Sequence, residues 1–259
     1  MRVAFLTNRT TQYSLPVLKR LVEAVECEVV HAFFYDTLKQ GRSKFRTSIQ
    51  DFGWLGLMAK VGQLSVGKVR MLFARRVANA EQWARSSYEY AILKKIPHSV
   101  VQDINAPEIR SQLTDLNVDL LIVAVCKNIL KMEVLKVPRY GVMNIHPSLL
   151  PKYRGPTPAF WALYHGEHET GVTFHRMTTK IDLGEVVQQY SFAIETGWGE
   201  EEINRKAFEL AAEHIAEVLE RVESMRNPDI STEPVQVASY FTFPTPDQRR
   251  ELRQRRRRG

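Results

Sequence analysis

The residues of this chain whose types and spacing could do chemistry are concentrated in Asn144-Ile145-His146-Pro147-Ser148-Leu149-Leu150-Pro151. Extended backbone sends alternate side chains to opposite faces, so Asn144 and His146 share a face and their polar ends can converge on one reacting atom. Pro147 and Pro151 stiffen the exit and hold the residues before them in extended conformations. On spacing alone, an Asn-x-His pair is more often a set of polar groups capping a strand than a site, and both readings stand at this point. Ser148 lacks the base and acid of a nucleophile constellation, so its hydroxyl is read as fixing the loop. His165, His168 and His175 show no metal-ligand spacing with Cys or carboxylate partners and are read as surface or structural histidines. Trp161 is read as core or as pocket wall. No metal site is expected, because Cys27 and Cys126 form no CxxC or His-spaced cluster, and both are read as reduced core thiols.

The elements that must position Asn144 and His146 follow from hydrophobic periodicity. Residues 3–6 form a short apolar run, residues 7–11 are polar, and Leu15, Leu18, Leu21, Val22 and Val25 recur at helical spacing. The polar loop lacks G-x-G-x-x-G, which argues against a dinucleotide fingerprint. Further strands are predicted at 28–35, 99–102, 120–126 and 141–145, the fourth of the chain being apolar throughout, as a strand buried on both faces must be. A helix is predicted over 104–116 and another over 157–164, followed by strands at 171–177 and 185–193. A long helix over 200–222 carries Ile203, Ala207, Leu210, Ala211, Ile215, Val218 and Leu219 on one face, with Glu200, Glu201 and Glu202 favourably placed at its start. Strands alternating with helices imply an α/β, doubly wound, mostly parallel sheet that binds ligands beyond the carboxyl ends of its strands.

The stretch 36–95 is too long for a one-helix crossover and is read as a helical insertion. Its basic residues interrupt the apolar positions without leaving a clean polar face, so packing on the core or a partner subunit is favoured over a membrane surface. Residues 1–225 are expected to form the main domain and 226–259 a C-terminal extension. Pro228, Pro234, Pro244 and Pro246 favour an extended, irregular course over another helix there.

With 259 residues and 44% hydrophobic composition, the chain can bury one full core plus an appendage. The net charge of +7 is unevenly distributed: residues 249–259 hold seven Arg and one Glu, which leaves the remainder nearly neutral. Only that end invites an anionic partner. The N-terminus enters a strand pattern directly, and no apolar run of about 18 residues occurs. A cytoplasmic protein with no membrane contact is therefore expected.

The wider pattern adds Tyr153-Arg154-Gly155-Pro156, Glu169-Thr170-Gly171-Val172-Thr173 and Lys180-Ile181-Asp182-Leu183-Gly184 to the Asn144 segment. Together these motifs resemble the folate-dependent formyltransferases, the group containing methionyl-tRNA formyltransferase, glycinamide ribonucleotide transformylase and the sugar N-formyltransferases. The similarity runs clearly from about residue 96 to 219, and the segments 36–95 and 226–259 match less well. The resemblance implies a Rossmann-like formyltransferase fold and a catalytic triad at Asn144, His146 and Asp182. It implies that N10-formyltetrahydrofolate binds between two loops. One comprises Val125, Cys126, Lys127, Asn128, Ile129 and Leu130, lining the pterin pocket, and the other Thr178, Thr179, Lys180 and Ile181.

Each triad group then has a physical role. An imidazole ordinarily titrates near 6.5, which suits His146 to the general base for an attacking amine. The Asn144 amide offers a fixed dipole to a developing oxyanion. Asp182 can orient His146, stabilise its protonated form and organise a relay water. The methionyl-tRNA members carry a larger C-terminal domain than the residues after 226 leave room for, which favours a small-molecule amine acceptor, an amino-sugar nucleotide. Transfer to tRNA, assisted by the terminal arginines, is the alternative, and a noncatalytic folate binder is another. The insertion is expected to supply acceptor-pocket walls or a homodimer contact.

Overall fold

The computed structural model describes residues 1–36, 80–126, 128–225 and 239–258. Most of the expected insertion, residues 37–79, lies outside the described residues, as do Lys127 and residues 226–238.

In chain order the described elements are β1 (Arg2–Asn8), α1 (Leu15–Glu23), β2 (Glu28–Tyr35), α2 (Ser87–Leu93), β3 (His98–Val101), α3 (Pro107–Asp115), β4 (Leu120–Ala124) and α4 (Met132–Leu135). They continue with β5 (Val142–His146), α5 (Pro158–Tyr164), β6 (Glu169–Arg176), β7 (Val186–Ala193), α6 (Glu200–Ser224) and α7 (Pro246–Arg258). Among the described residues, seven strands form one sheet in the order β3-β2-β1-β4-β5-β6-β7. The first five are parallel, β6 pairs antiparallel with β5, and β7 pairs antiparallel with β6. The chain reverses its direction of winding between β1 and β4, which opens a crevice beyond the carboxyl ends of these two strands, next to β5.

Alternation along β1 shows why the sheet is covered on both faces. Val3 and Phe5 pack with α1, α2 and α6, whereas Ala4 and Leu6 pack with α3 and α4 on the opposite side. Every residue of β4 is buried, in keeping with its unbroken apolar run. The strand stops at Ala124 because Val125 has φ +56, a left-handed conformation that a β-branched residue adopts only under tertiary constraint. The Val125 carbonyl accepts from the Asn8 N–H at 3.2 Å, fastening this turn to the end of β1.

The course expected after residue 226 requires correction. Residues 239–245 are non-helical, but Pro246–Arg258 is an α-helix. Pro246 sits in its first turn, where a proline removes no needed N–H. Thr245 and Gln248 form a reciprocal cap: the Gln248 side-chain oxygen accepts from the Thr245 N–H at 2.8 Å, and the Thr245 hydroxyl accepts from the Gln248 N–H at 3.3 Å. Arg, Gln, Glu and Leu then propagate the helix well. Its Leu252 is buried with Phe160 and Trp161, and the Tyr164 hydroxyl donates to Glu251 at 2.6 Å. The basic end is thus docked on α5 and not a solvated tail.

Candidate active site

Strand β5 delivers Asn144 and His146 to one face, and its antiparallel neighbour β6 sets His175 directly opposite Asn144. The hairpin turn after β6 returns Asp182 to the same place, with φ +50, a conformation that aspartate tolerates better than most residues. Two backbone groups from the 153–155 loop complete the arrangement. The Gly155 N–H donates to Asp182 Oδ2 at 2.9 Å, and the Tyr153 carbonyl lies 3.1 Å from His146 Nε2.

These contacts define the tautomers, because a carbonyl can only accept. His146 carries its hydrogen on Nε2, directed at Tyr153, and so presents the lone pair of Nδ1 toward Asp182 Oδ2, 3.7 Å away. That separation exceeds a direct hydrogen bond. His175 donates from Nδ1 to the Arg176 carbonyl at 3.1 Å, which leaves Nε2 to accept from Asn144 Nδ2 at 3.0 Å. One hydrogen of the Asn144 amide is thereby committed, and its orientation is set. His175 Nε2 also lies 3.6 Å from Asp182 Oδ1. Burial, which outweighs the opposing Asp182 charge, lowers the His175 pKa to about 4 and keeps the ring neutral.

The four side chains line a cavity of about 470 Å³, a size typical of small-molecule sites. The expected pterin-loop residues Val125, Cys126, Asn128, Ile129 and Leu130 line it, and so do Thr178, Thr179, Lys180 and Ile181. Of the residues singled out for this site, Lys127 lies outside the described residues. Among the described residues, four of the eight exposed large hydrophobic side chains, Ile129, Ile181, Tyr240 and Phe243, stand at this cavity. Apolar surface left uncovered around one opening marks a binding site more than scattered exposure would.

Several functional groups escaped the sequence reading. Of the histidines read as surface or structural, His175 is the buried one, and it is fully enclosed against the Asn144 amide. Tyr13, Glu200 and Asn204 join the cavity from α1's approach and from α6, with Tyr240 and Phe243 arriving from the C-terminal segment. That segment also braces the site. Arg154 and residues 239–241 form a short parallel bridge, with Arg154 N–H to Ser239 O at 3.1 Å and Phe241 N–H to Arg154 O at 2.9 Å. The Arg154 guanidinium meanwhile holds the Ile181 carbonyl through Nε at 2.9 Å and Nη2 at 2.6 Å. Gly155 has φ +112, and a Cβ there would overlap the Phe241 carbonyl oxygen. Only glycine permits this close approach.

Other expectations resolve simply. His165 and His168 are exposed, and Trp161 is core, its Nε1 donating to the Thr242 carbonyl at 3.0 Å. Ser148 fixes its loop by donating to the Lys152 carbonyl at 3.0 Å. Cys27 and Cys126 are half-buried free thiols and not fully buried core, with Cys126 facing the cavity.

The family model described as formyl transferase matches residues 75–219, more than half of the chain. The chain belongs to the formyl transferase family. A methionyl-tRNA formyltransferase from Geobacter metallireducens is 38% identical over 128 residues, which cover 49% of this chain and 41% of that protein. The chain thus spans well under half the length of this relative. Among solved structures, a phosphoribosylglycinamide formyltransferase from Anaplasma phagocytophilum superposes with a TM-score of 0.60 at 16% identity, covering 93% of this chain and 98% of that one. WlaRD, a sugar 3N-formyl transferase solved in the presence of dTDP and 5-N-formyl-THF, gives 0.56 at 16% identity, covering 93% and 69% respectively. At such identities these structures establish the shared α/β fold of the family. Among the described residues, no helix is long and apolar enough to cross a membrane.

Proposed function

We propose that this chain is a cytoplasmic N-formyltransferase that moves a formyl group from N10-formyltetrahydrofolate to the primary amine of a small-molecule acceptor, an amino-sugar nucleotide. The observation that carries the reading is the convergence of Asn144, His146 and Asp182 on one cavity at the strand ends of a formyl transferase fold. The carrier supplies an acyl group activated by its attachment to nitrogen. The cavity suits such a molecule: Leu130, Ile145 and Met177 offer apolar wall to a flat ring, and the 125–130 and 178–181 loops flank it.

In this reading His146 Nδ1 takes the proton released as the amine attacks, since Nε2 is already committed to Tyr153. Asp182 stabilises the resulting imidazolium across 3.7 Å. When the tetrahedral adduct collapses, the C–N10 bond breaks while the proton held by His146 passes, through a water that Asp182 organises, to the departing nitrogen, releasing tetrahydrofolate. The Asn144 N–H left uncommitted by His175 meets the charge developing on the acyl oxygen. Tyr13, Tyr240 and Phe243 offer aromatic surface to an acceptor ring, and the sugar 3N-formyl transferase with the same fold was solved with dTDP. The sequence relatives favour a second reading, methionyl-tRNA as the acceptor.

The test is incubation of the chain with N10-formyltetrahydrofolate and either a panel of amino-sugar nucleotides or charged initiator tRNA. Formylated sugar is expected. Formylation of tRNA alone would overturn the acceptor assignment, and formate release without any amine would replace transfer by hydrolysis.

A further inference from the structure

The inner face of α7 carries arginines where a docked helix ordinarily presents apolar groups. Arg249, Leu252, Arg253 and Arg256 recur at helical spacing, and with Phe160, Leu163 and Glu200 they line a cleft of about 130 Å³. Arg249 Nη1 pairs with Glu200 Oε1 at 3.0 Å and its guanidinium lies 5.1 Å from the Phe160 ring centroid. Arg256 Nη2 donates to the Gly197 carbonyl at 2.6 Å, and its charge acts on the nearby Glu202 carboxylate. Arg253 makes no hydrogen bond or ion pair among the described residues. Three guanidiniums therefore face two carboxylates, Glu200 and Glu202, an excess of one positive charge with Arg253 left unpaired beside a space large enough for a phosphate.

Like charges gathered at one seam repel each other, and a doubly charged oxyanion relieves that repulsion. The planar guanidinium fork matches phosphate oxygens better than any other side chain does. Position gives the cleft a purpose, because Phe160 and Glu200 line both it and the cavity that holds Asn144, His146 and Asp182.

We propose that this cleft is an acceptor subsite, in which Arg249, Arg253 and Arg256 hold a phosphate or diphosphate group of the small molecule whose amine is formylated. The acceptor assignment rests on the formyl-transfer reading, whereas anion binding by the cleft does not.

The experiment is titration calorimetry of the full chain with inorganic pyrophosphate and, separately, with a nucleoside diphosphate, comparing the wild type with Arg253→Gln. Arg253 is exposed, so its replacement leaves the core intact, and equal thermal midpoints check this. Loss of one charge-assisted contact is expected to weaken both ligands about tenfold. 5-Formyltetrahydrofolate is expected to bind the two proteins alike. Absence of pyrophosphate binding at millimolar concentration, or equal binding by wild type and variant, overturns the site. Binding of tRNA that Arg253→Gln weakens, with no response to either small anion, overturns the small-molecule assignment. Pyrophosphate binding without any affinity for 5-formyltetrahydrofolate overturns the link to formyl transfer while retaining the anion site.

Discussion

Replacing His175 by Phe keeps an aromatic ring in a fully enclosed position but removes both of its hydrogen bonds. The Asn144 amide loses its acceptor and the Arg176 carbonyl this donor, at an expected cost of about 1–3 kcal/mol. A pH signature separates this from generic damage. The native ring titrates at about 4, whereas an imidazole in the unfolded chain titrates near 6.5. Between those values the unfolded chain binds the proton and the native protein does not. The stability contributed by the neutral ring is therefore complete above about pH 6.5, declines as the pH falls through this window and is fully lost below about 4. Between pH 7 and pH 5 the decline amounts to about 2 kcal/mol. His175→Phe should lack this component while retaining the contributions of the other titrating groups.

The assay is denaturant unfolding of both proteins at pH 7 and pH 5, with turnover measured at pH 7. Disorienting the Asn144 donor is expected to lower kcat by about 10²-fold. Equal pH losses in the two proteins would refute the buried-neutral assignment of His175. A variant kcat within about twofold of wild type would refute its role in aiming the amide.

His146→Ala should retain affinity for 5-formyltetrahydrofolate while transfer falls by about 10²- to 10⁴-fold, and near-normal turnover would exclude His146 as the base. Gly155→Ala forces a side chain into a left-handed backbone and against the Phe241 carbonyl. A loss of about 1–3 kcal/mol is expected by thermal unfolding, with reduced transfer because the Gly155 N–H holds Asp182, and unchanged stability would contradict the bracing by residues 239–241. Leu252→Ala should cost about 2 kcal/mol or more and speed proteolytic cleavage within α7, and a cleavage rate equal to that of the wild type would show that the helix does not depend on this anchor.

Much of the framework was legible because local pattern and global fold agree. The unbroken apolar run of β4 could be satisfied only between two helical layers, and the 3.6-residue stripe of α6 by packing against α1 and the sheet. The C-terminal helix departs from the sequence expectation for a definite reason: Pro246 stands in its first turn, where a helix tolerates a proline. Thr245-x-x-Gln248 is the local signal that marks where this helix starts.

The sequence by itself determined which residue types could form the site and which strand would present Asn144 and His146, since alternation is a local property of extended backbone. Only the tertiary structure decided that His175 lies opposite Asn144, because the register of β6 against β5 arises from long-range pairing. Folding likewise brought Gly155 against Asp182 and the 239–241 segment against the loop beside them. Hydrogen-bond partners distant in sequence, and the tautomers that follow from them, exist only once the chain has closed on itself.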